Sequence, residues 1–399
     1  MKFKTKSKKL FMKQLLLFFV FSFSLVNSQT IKKIKIADAE TGKVIPNVRI
    51  ILENQIFYSN DDGFISLPKD AKQFDVSIAG YETLKSAKYQ STIKLKPLYN
   101  DIEEVKIVAI DVKKIFKEVL NNYSEIYYNK PAVYDITYSQ KSFENEKMKS
   151  LMIADGKYWM RDGKFNGKEA FNGKHDNFVQ LQIDTLRYFK TEPNEFSIKV
   201  KEDKGAHDGV GNFFFNYELQ RMNSLSKKRN AITTGRLVYE DELEQHVFYQ
   251  IKTDVDLTYS GTIIFNKKDR AITNFEMLFN QSSFKPKIHK DENGKEYERQ
   301  SPNGKFVFDF YKVGDQYVPS KVSIKYDSSK FTQGENIFEF RSAREIIFKN
   351  FKEGNETGLQ RSVEINSAFW RDMKVSAEKG ELNLSKEELK FINDGNDEN

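Results

Sequence analysis

The 399-residue chain has no cysteine, four histidines, eight prolines and two tryptophans. The missing cysteines exclude disulfides, thiolate metal sites and cysteine nucleophiles. The few histidines are scattered: His175, His207 and His246 lie upstream of His289. The run His289-Lys290-Asp291-Glu292 has the first half of a zinc carboxypeptidase spacing, and no histidine follows it. Catalytic zinc needs three converging protein ligands beside its water, and this spacing does not supply them. There is no Walker loop, no Gly-x-Gly-x-x-Gly after a strand, no Gly-x-Ser-x-Gly elbow, no His-Glu-x-x-His and no EF-hand loop. Glu103-Glu104 and Glu387-Glu388 sit in polar surroundings and read as solvated surface. Asp254 and Asp256 flank Val255 on one expected strand face, where like charges tune each other or hold a cation, although a polar outer face explains them as well. The expectation is no enzyme, no catalytic residue, no cofactor and no metal.

What is present begins with a basic stretch of six lysines between Lys2 and Lys13. An apolar run follows from Leu15 to Val26, about 12 residues against the roughly 20 that a membrane span needs. Val26-Asn27-Ser28 then reads as a signal-peptidase site, so residues 1–28 are expected to be a secretory signal. No later stretch approaches 18 consecutive apolar residues, and none is expected to cross a membrane as a helix. The 64 basic residues, less the six in this segment, leave 58 against 57 acidic ones. The basicity of the chain therefore belongs to its first residues and is no nucleic-acid footprint. The expected address is periplasmic or outer-membrane-associated. Aromatic residues make up 14% of the chain, mostly Phe and Tyr, which favours strands.

Residues 29–98 alternate in steps of two. Ile34 and Ile36, Val48, Ile50 and Leu52, Phe74, Val76 and Ile78, and Ile93 and Leu95 oppose polar neighbours. Turn chemistry separates the runs at Glu40-Thr41-Gly42, Asn60-Asp61-Asp62-Gly63 and Ala79-Gly80. This pattern predicts a compact antiparallel sandwich. Gly63 suits a positive φ, Phe64 should be the first inward residue of the next strand, and the Tyr81 hydroxyl should stay wet.

In order, Asp38, Thr41-Gly42, Ile45-Pro46-Asn47-Val48, Asn60-Asp61-Asp62-Gly63-Phe64 and Ile78-Ala79-Gly80-Tyr81 resemble the carboxypeptidase-regulatory-like domain. The resemblance implies a seven-stranded Ig/transthyretin-like β-sandwich without catalysis of its own, found in exported envelope proteins. The chain departs from that pattern at Ile34, where the family has glycine. Asp101 to Val108 resembles the tail that follows this module in envelope receptors, but the remainder is too short for their plug and barrel.

A linker is expected over 99–110, then a helix over 112–128. Asp111 caps it, and Val112, Ile115, Phe116, Val119, Tyr123, Ile126 and Tyr127 form its apolar stripe. Residues 132–352 read as a long antiparallel β-meander with one apolar face, so that the domain over 111–352 is a helix packed on a half-barrel-like sheet. The stretch Tyr259-Ser260-Gly261-Thr262-Ile263-Ile264-Phe265 through Asp269-Arg270-Ala271-Ile272 is similar to the sheet of lipoprotein-carrier (LolA/LolB-like) proteins. That similarity implies an apolar face, including Phe265, Phe306, Phe308 and Phe310, which is either filled core or a groove for an acyl chain. Residues 281–304 read as a mobile hairpin loop. The segment 353–399 should hold a short helix behind the capping box Ser385…Glu388 and end in a disordered acidic tail. Ala368-Phe369-Trp370-Arg371 resembles the closing segment of exported proteins that begin with the same sandwich.

Three functions follow as expectations. The first is a binding or scaffold protein of the envelope with the sandwich as docking module, its partner an envelope protein or an apolar ligand. The second is a carrier with an apolar groove between helix and sheet. The third is a hydrolase whose site converges from distant residues.

Overall fold

The computed structural model describes residues 31–98, 108–196, 213–363, 370, 373–377 and 383–394, apart from 54, 69 and 256. The expected signal segment, most of the linker, His207, Asp256, Phe369 and the final residues 395–399 lie outside the described residues.

The chain is mainly β. Seven strands, β1 (Ile31–Asp38), β2 (Arg49–Leu52), β3 (Gln55–Tyr58), β4 (Phe64–Pro68), β5 (Gln73–Ser77), β6 (Leu84–Lys88) and β7 (Thr92–Leu95), form two sheets of order β4-β1-β7 and β3-β2-β5-β6. Ile34, Ile36, Val48, Ile50, Val76 and Leu95 are sealed between them. The recurring turn residues lock one another in place. Asp38 Oδ1 accepts from the backbone N–H groups of Glu40 and Thr41 at 2.9 and 2.7 Å, and its Oδ2 accepts from the Tyr81 hydroxyl at 3.0 Å. That hydroxyl is therefore engaged rather than wet. Gly63 has φ +71°, and a Cβ there would sit 2.8 Å from Val44 Cβ. Phe64 corrects the expectation: Ile65 and Leu67 point inward, and the Phe64 ring lies outside under the Lys33 ammonium, 4.5 Å away. The Asn60 side chain accepts from the N–H groups of Asp62 and Phe64, and this turn sets the strand one residue out of the expected phase.

The body is one open antiparallel sheet. Its strands are β8 (Ala132–Glu144), β9 (Lys147–Met160), β10 (Val179–Thr191), β11 (Ile232–Glu240), β12 (Glu244–Lys252), β13 (Thr258–Asn266), β14 (Ala271–Asn280), β15 (Lys287–Lys290), β16 (Glu296–Gln300), β17 (Asn303–Val313), β18 (Gln316–Gln333) and β19 (Asn336–Glu353). Their order is β10-β9-β8-β19-β18-β17-β14-β13-β12-β11, with the β15–β16 hairpin attached to β18. The expected single meander is thus two meanders joined where β19 pairs β8. The stretch expected as a mobile hairpin loop holds the paired β15–β16 hairpin, whose Tyr297 stacks on Phe331. Neither edge of the sheet is bare. Val108 and Ile110 hydrogen-bond to Leu237 and Gly235 of β11, and Val363 and Ser376 to Leu181 and Leu186 of β10. Such covering protects an open sheet from edge-to-edge association.

One face is covered by helices α1 (Val112–Asn121), α2 (Tyr123–Ile126) and α4 (Phe215–Ser226), while α3 (Gly167–Phe171) is a short surface turn. Asp111 caps α1 as expected, accepting from Lys114 N–H. The expected single helix breaks at Asn122, whose ψ of 17° and side-chain bond to Glu118 O end the first segment. The break turns Tyr123 and Tyr127 toward one another, 4.7 Å apart. The second covering helix, α4, answers to Phe215, Leu219 and Met222 at helical spacing, a signal the sequence reading passed over.

Candidate functional site

The four phenylalanines of the expected groove come first. Phe306, Phe308 and Phe310 of β17 and Phe265 of β13 are all buried in the main core. Phe215 from α4 fills the space above them, its ring 5.7 Å from Phe308, 5.0 Å from Phe310 and 5.4 Å from Phe275. Tyr127 packs 5.0 Å from Phe310, and the Arg221 guanidinium lies over Phe306 and Tyr259. Arg221 is paired to Glu218, whose carboxyl is pushed up by burial. The β17 phenylalanines thus have side chains of α4 and of Tyr127 packed directly on them.

The open space lies on the opposite face. Strand alternation puts Thr137, Ser139 and Lys141 of β8, Glu345, Ile347 and Lys349 of β19, Ser323 and Lys325 of β18, and Asp309 of β17 on the outer side of the sheet. The sandwich sits on this outer side, with β3 and the turn 59–61 over β18, β19 and β8. Two cavities of about 400 and 360 Å³ remain between the layers. Both are lined by Asn47, Tyr58, Ser323 and Lys325. The larger also has Ile56, Phe57, Ile153, Ile347 and Leu384 on its walls.

A polar knot fastens the layers between the cavities. Arg49 on β2 pairs with Asp309 at 3.1 Å and donates to the Phe310 carbonyl at 2.6 Å. Tyr58 on β3 donates to Asp309 Oδ2 at 2.6 Å and shares a 2.8 Å hydrogen bond with Ser320 Oγ. Lys321 is buried, paired with Glu345 at 2.8 Å, bonded to Asn47 Oδ1, and 4.6 Å above the Tyr58 ring. A buried lysine persists only when paired in this way. Burial disfavours the Arg49 charge, yet neighbouring Asp309 holds its pKa above the ordinary value. Burial, then Asp309, pushes Tyr58 well above the ordinary phenol range. Ser320 reaches Tyr58 because of a bulge: Asp309 faces Lys321 and Phe310 faces Pro319, which leaves Ser320 with no residue opposite. Pro319 was the signal for it, since proline inside a strand marks an edge or a bulge.

The carboxy-terminal segment closes one end. The Asn60 side chain donates to Leu384 O at 2.8 Å, Asp62 accepts from Lys386 N–H at 2.6 Å, and Asn383 donates to Phe64 O. Helix α5 (Lys386–Asn393) begins with the expected capping box of Ser385 and Glu388. Lys141 on the sheet joins Asp61 of the sandwich (2.7 Å) to Glu388 of this helix (3.2 Å).

Comparisons with known proteins give this chain no family. No protein-family model and no curated protein matches it. Among solved structures, a LolA superfamily protein from Nitrosomonas europaea is similar at 9% identity and a TM-score of 0.21, over 60% of this chain and 93% of that one. Lipovitellin, in a structure concerned with lipid–protein interactions, is similar at 8% identity and 0.24, over 60% of this chain and 28% of that one. At these TM-scores neither likeness bears on fold or ligand.

The three described histidines do not converge. His246, on β12, is bonded to Glu244 and borders the smaller cavity. His289 stacks on Tyr297 in the β15–β16 hairpin, and His175 lies beside Phe178. Among the described residues no three His, Asp or Glu side chains group to hold a metal. Asp254 and Val255 fall in the turn before β13, not on a strand face. Among the described residues no helix is long and apolar enough to cross a membrane.

Proposed function

We propose that the chain is an exported, non-catalytic binding protein of the cell envelope, and that its ligand sits in the cleft between the sandwich and the outer face of the sheet. The observation that carries this reading is the placement of both cavities at that one interface, around shared residues Asn47, Tyr58, Ser323 and Lys325. A volume of about 400 Å³ falls within the roughly 300–1,000 Å³ of small-molecule sites, and its wall joins an apolar strip, Ile56, Phe57, Ile153 and Ile347, to a larger set of polar and charged side chains. The polar groups here suit binding rather than bond-making. Ser320 and Tyr58, hydrogen-bonded to one another beside the cleft, are buried, and the raised Tyr58 keeps its proton. Export rests on the amino-terminal segment of the sequence.

The second reading, a carrier with its groove on the sheet–helix side, would need Phe215 and Tyr127, which pack on Phe310 there, to give way to the ligand. The test is native mass spectrometry of the chain purified from the envelope of its own cells, beside a Ser139→Trp variant that fills the larger cavity. The expected result is a small-molecule adduct on the wild type that the variant lacks. Bare polypeptide mass in both, or an adduct that the variant keeps, overturns the reading.

A further inference from the structure

The cations around the cleft are nearly all spoken for. Lys141 holds Asp61 and Glu388, Lys321 holds Glu345, Lys349 holds Asp155, Lys305 holds Glu276, and Arg49 holds Asp309. Lys325 differs. It lines both cavities, is half-buried, and among the described residues has no carboxylate within ion-pair distance. Its neighbours across the strands are Lys305 and Ala343, so no acid faces it in register. Asp61 feels the Lys325 charge only from beyond ion-pair distance and is itself held by Lys141, so an anion in the cavity would give this half-buried lysine the direct counter-charge it lacks.

Beside it, the wall of the larger cavity is apolar along Ile56, Phe57, Ile153 and Ile347. Resting on the cleft as the ligand seat, we infer that the larger cavity takes a carboxylate-headed amphiphile, with its head at Lys325 Nζ and its apolar body along that wall. The head is a monoanion because one ammonium stands ready for it. A phosphate dianion is matched by a second cation or by an arginine fork; Arg49 is committed to Asp309, and Arg344, which also lines the larger cavity, has a partner of its own. The acids bordering the cavity do not compete for the head site, since Asp61 and Glu388 are held by Lys141 and Glu345 by Lys321.

The test is calorimetric titration of the full chain with dodecanoate, dodecanol and dodecyl phosphate, all below micelle-forming concentrations. It is repeated on Lys325→Gln, Lys325→Arg and Ser139→Trp. Lys325→Gln should melt as the wild type does, because Lys325 holds no other side chain in place. The expected result is dodecanoate binding that falls tenfold or more in Lys325→Gln, recovers in Lys325→Arg and vanishes in Ser139→Trp. Dodecanol should bind more weakly and respond only to Ser139→Trp. Dodecanoate indifferent to Lys325→Gln, or dodecyl phosphate bound more tightly than dodecanoate, overturns the head-group assignment while leaving the seat. If no probe binds and Ser139→Trp changes nothing, the inference falls, and the adduct measurement then decides separately whether the seat falls too.

Discussion

The Tyr58 hydroxyl, from the sandwich, donates to Asp309 of the sheet across 2.6 Å, and Arg49 reaches the same carboxylate from the neighbouring strand. Two sandwich residues thus depend on one half-buried acid. Asp309→Ala leaves the Arg49 charge in the interface with no counter-charge, at a cost of about 3–5 kcal/mol. Tyr58→Phe removes one hydrogen bond and costs about 1 kcal/mol. Urea unfolding of both variants checks the ordering. Equal losses, or a larger loss in Tyr58→Phe, would show that Asp309 does not anchor the layers.

The filled inner face makes a second prediction. Phe215 is the side chain that occupies the space over Phe308 and Phe310. Phe215→Ala should lower stability by about 3–5 kcal/mol and leave a cavity. That cavity is apolar and so should stay dry and accept benzene or xenon, which the wild type should not do there. Xenon binding by the wild type at this face would mean that the core is not closed.

Gly261 tests the register of the body. A Cβ at this position would run into the Glu276 carbonyl on the neighbouring strand, with no flexible side-chain end to yield. Gly261→Ala should cost about 1–3 kcal/mol, the usual penalty of overpacking, although alanine is the better residue in an ordinary strand. A lower midpoint in thermal unfolding is the expected readout, and an unchanged midpoint contradicts the β13–β14 packing.

Much of this architecture was legible because period-2 alternation reports burial directly. Ile34 and Ile36, or Phe306 and Phe308, announce their faces from sequence, and Asp111 and Ser385 announce their helix starts. What was not legible depends on pairing between distant strands. The closure of β19 on β8, and with it the division into two meanders, leaves no local trace. The cleft is of the same kind. Asn47, Tyr58, Ser323 and Lys325 are each ordinary outward polar or amphipathic residues, and they become a site only when the sandwich lies on the sheet. That Phe215 packs over Phe308 was equally out of reach, since the residue lies too far along the chain to be placed there from sequence spacing.

The capping box on α5 gives a local prediction. Ser385 Oγ accepts from Glu388 N–H at 3.2 Å while the Glu388 carboxylate accepts from Ser385 N–H at 2.8 Å. Ser385→Ala should destabilise the helix by about 1 kcal/mol, a roughly fivefold rise in amide exchange from Lys386 to Phe391. Since Glu388 is also held by Lys141, exchange in the turn at Asn60 and Asp61 should rise with it. A rise confined to the helix would show that the segment does not fasten the sandwich.

The same junction sets a pH dependence. Burial raises the Asp61 carboxyl, but Lys141 more than offsets this, and its pKa stands below the ordinary carboxylate value. Burial likewise disfavours the Lys141 charge, and Glu388 with Asp61 hold its pKa above the ordinary lysine value. An acid lowered on folding contributes stability above its unfolded pKa of about 3.9 and loses it as pH falls through the folded value. A lysine raised on folding contributes fully below its unfolded pKa of about 10.4 and loses the contribution as pH climbs through the folded value. The junction should therefore hold from about pH 5 to pH 10 and loosen below pH 4. Amide exchange in the 59–63 turn, measured against the core strand β14 as an internal standard, should accelerate selectively between pH 5 and pH 3 in the wild type. In Lys141→Met the turn should exchange faster at pH 6 and show no further selective change on acidification. An identical profile in both proteins would mean that another contact holds the sandwich to the sheet.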